Sequence, residues 1–303
     1  MMKRLALLST LILAACSSST DASPNDPALQ TPRSTQVTAG DAGTVADGPS
    51  KPKMVVTRVA LNLLAMDRFY YLAVPSDYDA KGTKTYPLVV VFHGSPGTAQ
   101  EMVEKYPYDA ASGTDAIIAY PNSFGSGWDL YSANEDNPDM AFVHALPADI
   151  ANHVRVDTRR VYGAGWSGGA FFVTQFTCRY GGIFKGIGVY AGGAYDDSSL
   201  PTAPGQFSNG CSMCPGGPVP TIVVHGEADT TVPHSSGEYA AGCWSTINHC
   251  STTRSASTPA PCESYDNCTS GAVSYCSLPG VTHDVFSEGV ATAWGRSWTF
   301  FNH

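Results

Sequence analysis

Six stretches of this chain are apolar almost without a break: residues 88–92, 116–121, 160–164, 187–190, 221–224 and 273–278. Continuous runs of this length suit strands buried on both faces, as in a parallel sheet, rather than half-exposed strands that alternate. An earlier segment, residues 70–75, reads as one more strand. Between the runs lie segments with helical character. Residues 140–154 follow Asp139, an N-cap candidate; residues 168–179 follow the third run; residues 291–301 come last. Strands alternating with helices predict an α/β domain with a mostly parallel central sheet flanked by helices. Residues 242–268 break this rhythm, being polar and cysteine-rich, and are expected to form a disulfide-stapled excursion. No internal repeat is visible.

The first fifty residues are of a different kind. Lys3 and Arg4 precede an apolar run too short to span a bilayer, which ends in Leu13-Ala14-Ala15-Cys16. This resembles the lipobox of bacterial lipoproteins, in which the cysteine is lipidated and becomes the mature N-terminus. Acyl chains on Cys16 would then hold the protein to a membrane leaflet. Ser17 in place of an aspartate points to the outer membrane or cell surface. Residues 16–52 hold few large apolar side chains and so cannot build a core. The expected organisation is a signal peptide at 1–15, a disordered tether at 16–52 and an α/β domain at 53–303.

Charge and cysteine content narrow the picture. With 17 Lys and Arg against 26 Asp and Glu, the chain carries −9 and lacks the basic patches that nucleic acid requires. Setting Cys16 aside leaves eight of the nine cysteines, an even number that reads as up to four disulfides in an exported protein. The expected pair is Cys268 with Cys276, which flank a strand and turn. Cys211 and Cys214 form a lone CxxC without a second CxxC or a nearby histidine pair, so no metal site is expected.

The chemistry concentrates in three segments. Gly165-Trp166-Ser167-Gly168-Gly169 is the chain's one G-x-S-x-G, and it stands between an apolar strand and a helix. That is the setting of a nucleophile elbow, where a sharp turn exposes the serine oxygen above the sheet. The acid and base of such a site follow the serine in that order. Asp229 lies just past the fifth run, with Glu227 as its rival. Of the four later histidines, His283 sits in the loop between the last strand and the last helix, where a general base belongs. His234 is close to Asp229 and can line the pocket, His249 is in the cysteine-rich stretch, and His303 is terminal. The oxyanion donors would be the backbone N–H groups of Gly168 and of Ser95, in the loop after His93-Gly94.

Five segments together resemble the secreted feruloyl esterase and poly(3-hydroxybutyrate) depolymerase family of α/β-hydrolases. They are Pro87 to Gly94, Asp157 to Gly163, Gly165 to Gly169, His225-Gly226-Glu227-Ala228-Asp229-Thr230-Thr231-Val232-Pro233, and Pro279 to His283. The resemblance implies the α/β-hydrolase fold, a serine esterase and an ester substrate that is polymeric or oligomeric. It implies no cofactor, no nucleic-acid partner and a monomer. Family substrates are feruloyl or acetyl esters on xylan, or polyhydroxyalkanoate esters. Trp166 and Thr282 depart from residues common in the family, and Trp166 would shape the acyl pocket. Trp128 resembles an aromatic near the family's active site and would either wall the substrate or simply pack; His93 would shape the loop beside it. Other readings of the sequence are a peptidase of the prolyl-oligopeptidase type, for which the chain has no room for a propeller, and a non-catalytic binding protein on a decayed hydrolase scaffold.

Overall fold

The computed structural model describes residues 54–134, 136–197 and 204–303. The expected signal peptide, the lipidated Cys16 and the tether lie outside the described residues. No helix among the described residues is long and apolar enough to cross a membrane.

The described residues build one ten-stranded sheet. Its strands are β1 (Met54–Leu63), β2 (Met66–Pro75), β3 (Tyr86–Phe92), β4 (Ile117–Pro121), β5 (Val156–Trp166), β6 (Ile187–Tyr190), β7 (Thr221–Gly226), β8 (Arg254–Ala256), β9 (Cys262–Tyr265) and β10 (Val273–Leu278). The spatial order is β1-β2-β4-β3-β5-β6-β7-β10-β9-β8. The six central strands, β4 to β10 in that order, run parallel, and they are the six apolar runs of the sequence. Antiparallel pairs finish both edges. The edge strands escaped the sequence reading for a physical reason. β1 has no fully buried residue and its apolar side chains are interrupted by Thr57, Arg58 and Asn62, and β8 has only three residues. Edge strands carry weak apolar signals because they bury little.

Alternate side chains of the central strands feed two cores. Leu88, Val90 and Phe92 of β3 face one, with α3 (Pro138–His153), α4 (Gly168–Arg179) and α5 (His234–Ile247) packed over it. Val89 and Val91 face the other, covered by α1 (Ala99–Lys105), the short α2 (Asp109–Ser112) and α6 (Val290–Phe301). Helix α3 is capped by Asn137, whose Oδ1 accepts from the Asp139 and Met140 N–H groups. Asp139 is therefore not the N-cap expected from the sequence. It is a buried hub that accepts from Arg68 and from the backbone N–H groups of Phe124 and Asp129.

Eight cysteines form four disulfides: Cys178–Cys214, Cys211–Cys243, Cys250–Cys268 and Cys262–Cys276. The expected Cys268–Cys276 pair is not formed. The register of β9 on β10 sets Cys262 directly opposite Cys276, and Cys268 closes the base of the β8–β9 hairpin with Cys250 instead. The stretch expected to be an excursion is partly regular: α5 runs to Ile247, and the hairpin extends the sheet beyond β10.

Candidate active site

The candidate residues gather at the carboxyl ends of the parallel strands, where open α/β sheets form their ligand crevices. Ser95 follows β3, Ser167 follows β5, Asp229 follows β7 and His283 follows β10. Ser167 occupies a left-handed backbone conformation, φ 55° and ψ −121°, at the first residue before α4. A non-glycine residue held there is strained. Its N–H donates to Tyr190 O at 2.9 Å, and its C=O accepts from Ala170 and Phe171. The turn is thus stitched to β6 on one side and to the helix on the other. Trp166, Ser167 and Gly168 remain partly exposed.

Ser167, His283 and Asp229 form one hydrogen-bonded chain. The Ser167 hydroxyl donates to His283 Nε2 at 2.9 Å, and His283 Nδ1 lies 2.8 Å from Asp229 Oδ2. A carboxylate can only accept, so Nδ1 carries the proton and Nε2 is the free base that faces the serine. Asp229 Oδ1 accepts the N–H groups of Thr231 and Val232 at 2.9 and 3.0 Å. Burial pushes the Asp229 carboxyl up, but the bonds from His283, Val232 and Thr231 outweigh it and hold the group below the usual carboxylate range. It is an anion at neutral pH. Glu227, the rival acid, is exposed and accepts instead from the Ser277 hydroxyl. His234 contacts Ser277 and Tyr275, and His249 sits beside Ser270; neither of these joins the chain.

The two expected oxyanion donors lie side by side. A Cβ on Gly168 would fall 2.7 Å from Ser95 Cβ and 3.1 Å from Ser95 N, so only glycine lets the two backbones approach so closely. Gly168 opens α4, where an N–H has no partner within the helix. The pair forms a polar notch beside Ser167 at the positive end of the helix.

His93 and Trp128 stand behind this notch rather than in it. His93 is buried; its Nδ1 donates to Gly94 O at 2.7 Å and its Nε2 accepts the Ser123 N–H at 3.1 Å. Trp128 is 6 % exposed, donates its indole N–H to His93 O, and stacks on Phe172. Of the two roles the sequence left open for Trp128, its burial fits packing, and it braces the Ser95 loop. His93 and Trp128 are too buried to be the substrate-binding residues they were candidates for. Trp166 is different. It is partly exposed, donates its indole N–H to His283 O at 3.0 Å, and packs near Tyr106 and Phe286. The sequence offered no sign of this tie between the elbow and the loop that bears the base.

No protein-family model matches the chain. Acetyl xylan esterase from Aspergillus awamori superposes with a TM-score of 0.63 at 18 % identity, over 82 % of this chain and 99 % of that one. A ferulic acid esterase from Anaeromyces mucronatus superposes at 0.55 and 14 % identity, over 84 % and 94 %. The chain has the α/β-hydrolase fold. By sequence the chain is similar to feruloyl esterase C of Emericella nidulans, 25 % identical over 194 residues, which is 61 % of this chain and 64 % of that protein. It is also similar to feruloyl esterase B of Piromyces equi, 25 % identical over 230 residues, or 67 % and 40 %. The chain spans about half the length of the curated relatives it matches.

Proposed function

We propose that this α/β-hydrolase is a serine carboxylesterase that cleaves feruloyl or related esters on plant cell-wall polysaccharide. The observation that carries the reading is the hydrogen-bonded chain from Ser167 through His283 to Asp229 on three separate strand ends. Ser167 Oγ attacks the ester carbonyl as His283 Nε2 takes its proton. Asp229 holds the ring and stabilises the imidazolium. The N–H groups of Gly168 and Ser95 receive the oxyanion. His283 returns the proton to the leaving alkoxide, then deprotonates a water that attacks the acyl-serine. Release of the acid restores the Ser167 hydroxyl.

The substrate class rests on the feruloyl esterases among the relatives and on a site open enough to leave Ser167 and His283 partly exposed. A polymer chain can approach such a surface. An acetyl ester is the second reading, favoured by the superposition with an acetyl xylan esterase. We also read the protein as exported and tethered by lipid at Cys16. Four disulfides favour an oxidising compartment.

The test is hydrolysis of methyl ferulate beside p-nitrophenyl acetate and butyrate, with Ser167→Ala as control. Ferulate turnover that falls by a factor on the order of 10⁶ in kcat in the variant supports the reading. Turnover of the acetate alone moves the substrate to acetyl esters. Activity that survives Ser167→Ala overturns the nucleophile assignment.

A further inference from the structure

Asp229 has a second imidazole partner. His225, near the end of β7, has a fully buried side chain, and its Nε2 lies 3.2 Å from Asp229 Oδ2 and 2.9 Å from Val232 O. Val232 O accepts, so Nε2 carries a proton directed at that carbonyl, and the same N–H edge of the ring lies against the Asp229 carboxylate. The other ring nitrogen, Nδ1, is buried with no hydrogen-bond partner among the described residues. Helix α5 presses on that side of the ring. A Cβ on Gly237 would fall 2.6 Å from His225 Cγ, so the helix backbone itself seals the imidazole from water. A buried, half-satisfied histidine costs stability, and a strand interior has cheaper apolar residues to offer.

The Asp229 carboxylate has three hydrogen-bond donors and a second imidazole edge beside it. Oδ1 takes the Thr231 and Val232 N–H groups, Oδ2 takes His283 Nδ1–H, and His225 Nε2 stands 3.2 Å from Oδ2 while donating to Val232 O. Rotating the carboxylate toward or away from His283 would break bonds on both oxygens. We propose that His225 is a positioning residue: its Nε2–H ties down Val232, whose own N–H holds Asp229 Oδ1, and its positive ring edge faces Oδ2, so that the carboxylate keeps the orientation in which His283 Nδ1 is protonated and Nε2 faces Ser167. The groups that face His225 are Asp229 beyond β7, His283 beyond β10, and His234 at the start of α5, whose ring centre is 6.0 Å away. Burial outweighs the pull of Asp229 and holds His225 below its ordinary value, hence neutral. In that state it orients Asp229 without adding a second full positive charge to the carboxylate.

This inference rests on the catalytic roles proposed above for Ser167, His283 and Asp229. Its test compares His225→Phe, His225→Asn and His225→Gln in the full-length enzyme, on p-nitrophenyl acetate and methyl ferulate. The Gln amide nitrogen reaches the place of histidine Nε2; the Asn amide falls short and Phe has no donor. With one hydrogen bond at stake, kcat falls about tenfold in the Phe and Asn variants while KM stays within about twofold, and Gln recovers most of the rate. If the Phe variant does not fold, the Asn and Gln pair carries the comparison. In an Asp229→Ala background the Asn and Gln variants turn over at equal rates. Equal kcat for Asn and Gln in the native background, or wild-type kcat in Asn, overturns the inference. Ser167→Ala run alongside separates the two failures: an active Ser167→Ala sinks the proposed function, whereas an inactive one beside a fully active His225→Asn sinks the role of His225 alone.

Discussion

Replacing Asp139 by asparagine should cost this protein a large share of its stability without touching the reacting atoms. The Asp139 and Arg68 side chains are 1 % and 2 % exposed, and Arg68 Nη2 lies 2.6 Å from Asp139 Oδ1. The same oxygen accepts the Phe124 N–H at 2.8 Å, and Oδ2 accepts the Asp129 N–H at 2.9 Å. Asparagine can keep one oxygen for Arg68 and Phe124. Its amide nitrogen must then face the Asp129 N–H, donor against donor, and Arg68 loses its counter-charge inside the fold. Removing one partner of a buried pair costs about 3–5 kcal/mol. For a domain of this size each kcal/mol lowers Tm by about 2–4 °C, so the expected fall is about 6–20 °C. The loop that Asp139 holds also borders Ser95, since Gly97 N–H donates to Ser126 O in that loop. Esterase activity should therefore decline before global unfolding on heating. Thermal and urea unfolding, followed by circular dichroism with activity measured in parallel, provide the assay. A loss below about 1 kcal/mol would show that Arg68, which also donates to the carbonyls of Pro138 and Asn122, needs no counter-ion.

Three further outcomes are expected. Burial holds His93 and His225 below their ordinary values, so between the folded pKa and about 6.5 the unfolded chain binds a proton that the native state does not. Their contribution is complete above about pH 6.5 and is lost as pH falls through the folded values, so Tm should drop from pH 7 to 5.5, with a shallower slope in His93→Gln; an unchanged slope refutes this. Changing Cys262 and Cys276 together to serine opens a bridge with a sequence separation of 14 and should cost about 3 kcal/mol in urea unfolding, freeing the edge hairpin from β10; no change in midpoint would discount it. Trp166→Phe removes the bond to His283 O, worth about 0.5–1.5 kcal/mol, and should lower kcat several-fold with KM steady. A raised KM with kcat intact would make Trp166 a wall of the acyl pocket instead.

The hydrophobic pattern alone determined the central sheet. A strand buried on both faces must be apolar at consecutive positions, so all six parallel strands declared themselves in the residues that form them. The nucleophile elbow was equally legible, because a sharp turn between strand and helix is a local steric problem solved by five adjacent residues. What followed from contacts across the chain was not. Ser167 and His283 are 116 positions apart and His283 and Asp229 are 54 apart, so the sequence could name Asp229 and His283 from their places after strands, but only the order of strands in the sheet brings them within hydrogen-bond reach. The disulfides obeyed the same limit: an even cysteine count allowed up to four bridges, but the β9–β10 register decided that Cys276 meets Cys262 and not Cys268. Trp128 was left open, Asp139 misread and His225 passed over in the sequence because one residue type serves as a wall or a brace, a cap or a hub, a strand end or a second imidazole. Only burial and the partners brought to each side chain separate those roles.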